Sequence, residues 1–118
     1  MRKLKYQNKI YYLKVGTYSN HRMRLYLSRI NKPEIIELTI NTDIKVYEGN
    51  ILLDPAIFNL GIDKILKKAK IIRNLIISIG DIPMASLNTG ILRKYDARGL
   101  KIHLEMVGDE TWKNYLRN

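Results

Sequence analysis

Hydrophobic and polar positions alternate with a period of two through much of the first half of the chain. Residues 9–15 are rich in β-formers (Ile10, Tyr11, Tyr12, Leu13, Val15), and residues 16–20 read as a turn. Over residues 23–28, Met23, Leu25 and Leu27 fall on one face, with Arg24 and Tyr26 on the other. Asn31-Lys32-Pro33-Glu34 forms the next turn, and the alternation resumes over 35–41 with Ile36, Leu38 and Ile40 directed at a core. A short strand is expected at 43–47, ended by Glu48-Gly49-Asn50. Consecutive strands joined by short turns predict an antiparallel meander.

The period changes near residue 54. Asp54 is suited to cap a helix whose first position is Pro55, where the missing N–H costs nothing. Gly61 breaks or offsets the first turns, and Ile62, Ile65, Leu66 and Ala69 then share one stripe. The spacing predicts a main helix over about 54–70, with Lys64, Lys67, Lys68 and Lys70 on its polar side. Residues 71–79 can extend that helix, but their β-branched density favours a buried strand. Residues 83–90 read as loop, as does Arg93-Lys94-Tyr95-Asp96-Ala97-Arg98. Leu100, Ile102, Leu104 and Met106 alternate as a last strand, which leaves His103 facing solvent. Gly108-Asp109-Glu110 opens a short C-terminal helix carrying Trp112 and Leu116. The expected fold is therefore α+β: an antiparallel β-meander with one main helix packed on it and a short C-terminal helix.

Length and composition fit one domain over residues 1–118. A chain of 118 residues buries roughly two-thirds of the surface its unfolded form exposes, enough for a core without staples. There is no cysteine, which excludes disulfides and thiolate metal sites. The basic N-terminus is followed by an apolar run, 10–15, that is too short for a leader or a membrane span and is interrupted by Lys14. A cytoplasmic location is expected.

Charge changes the picture most. Twenty-one Lys and Arg against eleven Asp and Glu give +10 at pH 7 and point to an acidic partner, nucleic acid or a nucleoprotein. The competing reading is a merely solvated lysine-rich surface, since the chain is rich in the Lys, Ile, Asn and Tyr that low-GC codon usage favours. Three clusters are candidate binding residues. Arg24 and Tyr26 belong to a sheet face shared with Tyr12 and Lys14, with Arg22 at its edge, where rings could stack on bases and cations meet phosphates. Lys64, Lys67 and Lys68 belong to the helix, and Arg93, Lys94 and Arg98 to the loop, where arginines suit bidentate phosphate contacts.

Catalytic chemistry finds little support in the residues. Only two histidines, His21 and His103, are present, and neither has metal-ligand spacing or a Ser–His–Asp context. No glycine-rich loop precedes a helix, so no cofactor is expected. Asp43-Ile44-Lys45, with Glu34 and Glu37 upstream, matches the carboxylate-x-Lys pattern of metal-dependent nucleases, a triplet common by chance. The expectation is a protein that is not an enzyme, with a nuclease as the third reading.

Tyr18-Ser19-Asn20-His21-Arg22, the alternating residues 23–28, Leu38-Thr39-Ile40-Asn41 and Asp54 before a helix resemble a small family of proteins carried by phages, plasmids and conjugative elements of low-GC and gut bacteria. The resemblance covers roughly residues 10–60, and the family's aromatic-rich C-terminal strand has no clear match in 100–106. It implies a mobile-element accessory protein. Small, cysteine-free proteins of that kind include anti-CRISPR inhibitors, so inhibition of a host defence nucleoprotein through a basic surface is the sharpest expectation. A nucleic-acid-binding regulator serving the element itself is the alternative.

Overall fold

Two short-looped antiparallel sheets share one core. The computed structural model of the chain describes residues 2–44, 46 and 49–108. The first sheet contains β1 (Lys3–Tyr6), β2 (Lys9–Thr17), β3 (Met23–Arg29) and β4 (Ile35–Glu37), side by side in chain order. This is the expected meander with one strand added at the front. Gln7 and Asn8 both adopt positive φ between the paired Tyr6 and Lys9, the backbone of a two-residue hairpin turn that matches strand twist.

After β4 the alternation slips. Leu38 and Thr39 are both buried, and the Thr39 hydroxyl accepts the Leu25 N–H at 3.2 Å, where a strand carbonyl would ordinarily do so. Ile36 is partly buried against the core. Residues 43 and 44 lie in a bend and not in the expected strand, while Lys45, Tyr47 and Glu48 are outside the described residues. The next strand is β5 (Asn50–Leu52), which belongs to a second sheet with β6 (Ile72–Ile79) and β7 (Ile82–Leu87) in the order β5-β7-β6.

The predicted helix over 54–70 is two short ones, α1 (Ala56–Asn59) and α2 (Ile62–Lys68). The Asp54 carboxylate accepts the Ala56 N–H at 3.0 Å and so does a cap's work. Gly61 separates the helices at φ +73, a left-handed conformation that costs glycine little. The predicted stripe holds: Ile62 and Leu66 are fully buried, with Ile65 and Ala69 packed against the core.

The C-terminal part departs most from the pattern. Residues 83–90 are not loop, since β7 occupies most of them. The expected loop at 93–98 and strand at 100–106 form one long helix, α3 (Thr89–Val107), kinked at Asp96. The chain's principal helix is therefore α3, and the C-terminal helix expected after Gly108 lies outside the described residues. Helical spacing of Leu92, Tyr95, Leu100, His103 and Leu104 wins over the period-two pattern because those are the buried positions. His103 is consequently not at the surface: it is 2% exposed, with Nδ1 2.7 Å from the Thr17 hydroxyl.

The kink joins helix to sheet. β1 pairs with β2 only as far as Lys3 opposite Tyr12, so the β2 backbone beyond that point needs other partners. Asp96 supplies one: its carboxylate accepts the Val15 N–H at 2.9 Å and the Gly99 N–H at 3.0 Å. With φ −150° and ψ 75°, Asp96 acts as an N-cap inside the helix, starting its second segment while closing the strand edge. Gly99 allows the close approach, because a Cβ there would lie 2.6 Å from the Val15 carbonyl oxygen.

The core draws on both sheets and all three helices: Leu13, Leu25, Leu27, Ile57, Leu66, Ile71, Ala85 and Leu92 are all at most 1% exposed. Truncating any of the large ones to alanine costs about 2–5 kcal/mol.

Candidate nucleic-acid interface

Strand alternation in the first sheet sorts its residues by face. Leu4, Tyr6, Tyr11, Leu13, Val15, Met23, Leu25 and Leu27 point into the core. The opposite face presents Lys3 and Lys5 from β1, Tyr12 and Lys14 from β2, Arg24, Tyr26 and Ser28 from β3, and Glu37 from β4. The register sets them in rows: Lys3, Tyr12 and Ser28 in one, Lys14, Tyr26 and Glu37 in the next. Core contacts are made through the other face, so these side chains remain partly or fully exposed.

Rings and cations lie within cation–π range on this face. The Lys3 and Lys14 ammonium groups lie 6.0 and 5.5 Å from the centre of the Tyr12 ring. The Arg24 guanidinium lies 4.2 Å from the centre of the Tyr26 ring. Arg24 also donates from Nε to Glu37 Oε1 at 2.7 Å and from a second nitrogen to Oε2, a bidentate pair. That bond, more than the nearby charges, raises the guanidinium pKa above its ordinary value. Glu37 balances one of four cations, and the face stays positive. Arg22, just before β3, is turned aside: its guanidinium donates to the Ile44 carbonyl.

At the far end of the sheet Glu34 is engaged separately. The Tyr11 hydroxyl donates to it, and Lys9 and Arg29 approach it at 3.8 and 3.4 Å. The Tyr11 bond, chiefly, holds the Glu34 carboxyl below its ordinary value, and the same bond raises the Tyr11 pKa. Glu34 and Glu37 thus have different cationic partners and do not converge with Asp43. Among the described residues no group of three or more His, Cys, Asp or Glu is placed to hold a metal ion.

Of the residues singled out from sequence, Arg24 and Tyr26 stand together with Tyr12 and Lys14 as expected. Lys64, Lys67 and Lys68 are exposed on α2. Arg93, Lys94 and Arg98 are exposed on α3, on a helix and not in a loop. The three clusters occupy three separate elements. Sequence reading missed Lys3 and Lys5. Their alternation with Leu4 and Tyr6, followed by Gln7-Asn8, was the signal for a strand there. Among the described residues no helix is long and apolar enough to cross a membrane. Comparison with family models, curated proteins and solved structures finds no match to this chain.

Proposed function

We propose that the chain is a non-enzymatic binding protein whose tyrosine- and cation-bearing sheet face takes a single-stranded stretch of nucleic acid, alone or within a nucleoprotein. The observation that carries this is the pairing of Tyr12 and Tyr26, on adjacent strands, with Lys3, Lys14 and Arg24 against their rings. A base can stack on the Tyr12 ring or on the Arg24 guanidinium plane, while displaced ammonium groups meet phosphates. The net charge of +10 supports the same class of partner by steering polyanions toward the surface. The resemblance to mobile-element proteins supports a particular setting, in which the bound strand belongs to a host defence nucleoprotein that the protein inhibits. Service to the element as a nucleic-acid-binding regulator is the alternative setting.

Fluorescence anisotropy with single-stranded RNA and DNA at several salt concentrations tests the site. Tyr12→Ala should weaken binding by about 1–3 kcal/mol with little change in salt slope, as for loss of one stacked base. Lys3→Ala with Lys14→Ala should reduce the slope of log K against log salt by about 0.7 for each phosphate no longer neutralised. If Arg93→Ala with Arg98→Ala, or Lys64→Ala with Lys68→Ala, abolishes binding while the sheet variants bind normally, the sheet face is the wrong site.

A further inference from the structure

Among the described residues, the second sheet ends in a strand with nothing paired to its outer edge. β7 is its centre, with Pro83, Met84 and Ala85 all buried, whereas among the described residues β6 pairs with β7 alone. Register shifts between Ile72 and Leu75 and between Leu75 and Ile77 break the strict alternation of β6. Leu75, Ile76 and Ile77 are in consequence all about half exposed, at 51, 47 and 49%. Arg73 is the only charged residue in the strand and there is no proline, so beyond the register shifts themselves the edge carries neither the central lysine nor the proline that commonly protects such strands. Its backbone can accept another strand.

Charge around the strand is polar in direction. Lys67, Lys68, Lys70 and Arg73 are exposed at or before its N-terminal end, and Asp81 is exposed just past its C-terminal end. Among the described residues neither Lys70, Arg73 nor Asp81 is in an ion pair. An antiparallel copy of the same strand, centred on Ile76, sets Asp81 opposite Ile71, beside Lys70 and Arg73. Two-fold symmetry repeats that complementarity at the other end, while a parallel arrangement would set like charges together.

We propose that β6 is the contact through which two copies of this chain associate, as an antiparallel pair of edges that joins the two three-stranded sheets into one. The pairing covers Leu75, Ile76 and Ile77 of each copy and closes on itself, because each copy's β6 edge is used by the other. It is independent of what the first sheet binds.

Sedimentation velocity and light scattering of the full chain across micromolar concentrations test it, with circular dichroism as the check on folding. The wild-type chain should shift from monomer to dimer mass. Ile76→Lys, at an exposed position, should stay folded and raise the dimer dissociation constant about tenfold or more. Asp81→Lys alone and Lys70→Glu with Arg73→Glu alone should each dissociate the dimer by placing like charges at both ends. Mixing those two variants should restore a heterodimer. A wild-type chain that is monomeric throughout overturns the proposal and leaves the edge for an extended segment of another protein. Dimers indifferent to Ile76→Lys place the interface elsewhere, and failure of the mixture to reassociate refutes the antiparallel register. Growth to larger species refutes the closed pair.

Discussion

Replacing Gly99 with alanine should destabilise this protein, although glycine-to-alanine changes within helices ordinarily stabilise by about 1 kcal/mol. The new Cβ would collide with Asp96 Oδ2 and lie 2.8 Å from Asp96 Cγ and 2.6 Å from the Val15 carbonyl oxygen. The Val15 oxygen is backbone of β2, in register with Leu25 of β3, and cannot retreat without moving the sheet. The Asp96 side chain can swing away only by giving up its bond to the Val15 N–H and its cap on Gly99. Forcing the helix outward costs about 1–3 kcal/mol as overpacking. Losing a charged hydrogen bond to a buried amide costs about 1.5–3 kcal/mol more. Set against the helix preference of alanine, the net loss is about 3 kcal/mol, or a fall in Tm of roughly 10 °C for a chain of this size. Thermal unfolding followed by circular dichroism measures it, and urea midpoints at constant slope would confirm that stability alone has changed. Gly90→Ala is the control, since its Cβ would meet only Asn88 Oδ1 at 3.6 Å. It should be neutral or slightly stabilising. A Gly99→Ala protein that melts at or above the wild-type temperature would refute the account of the kink as a strand-edge closure.

Other outcomes follow from the same network of bonds. The Tyr11–Glu34 bond lowers the Glu34 pKa in the folded state, so its contribution is present above the ordinary value of 4.5 and is lost as pH falls through the depressed folded value. For Tyr11 the folded value is raised, so the contribution is complete below 10.0 and is lost as pH rises through the higher folded value. Tyr11→Phe should flatten both limbs of a stability–pH curve measured by thermal melts, and a curve unchanged at both ends would count against the bond. Thr17→Val removes the hydroxyl bonded to His103 and should cost about 1 kcal/mol in urea unfolding. A solvent-facing histidine would show no loss.

Much of the architecture could be read from the chain before folding. Met23, Leu25 and Leu27 had to face inward because only a period-two strand gathers them on one side, and all three are buried. The same alternation placed Tyr12, Lys14, Arg24 and Tyr26 on the opposite face, so the best-supported part of the candidate site was legible as a pattern. Ile62, Ile65, Leu66 and Ala69 marked a helical stripe, and β-branched crowding marked residues 71–79 as strand, of which β6 takes 72–79. That crowding was also read as a sign of burial, and there it misled. Propensity describes backbone conformation, whereas the exposure of β6 depends on its having β7 on one side and nothing among the described residues on the other.

The sequence alone therefore determined the inward faces of β2, β3 and α2, together with the excess of positive charge, but not the course of the chain beyond Glu37, where the period-two pattern of 35–41 gives way. Only the tertiary structure decided the rest. Residues 100–106 fit both periods, and their helical reading prevails because Leu100, His103 and Leu104 are buried together with Leu92 and Tyr95, with His103 meeting Thr17 of β2. Asp96 looked like a loop residue, since nothing local reveals that its carboxylate meets Val15, distant in sequence. Arg24 meets Glu37 for the same reason: register across strands sets the pair, and register is a property of the assembled sheet. Period-two and helical patterns are local consequences of backbone geometry, whereas partners between elements are fixed by packing that no single segment contains.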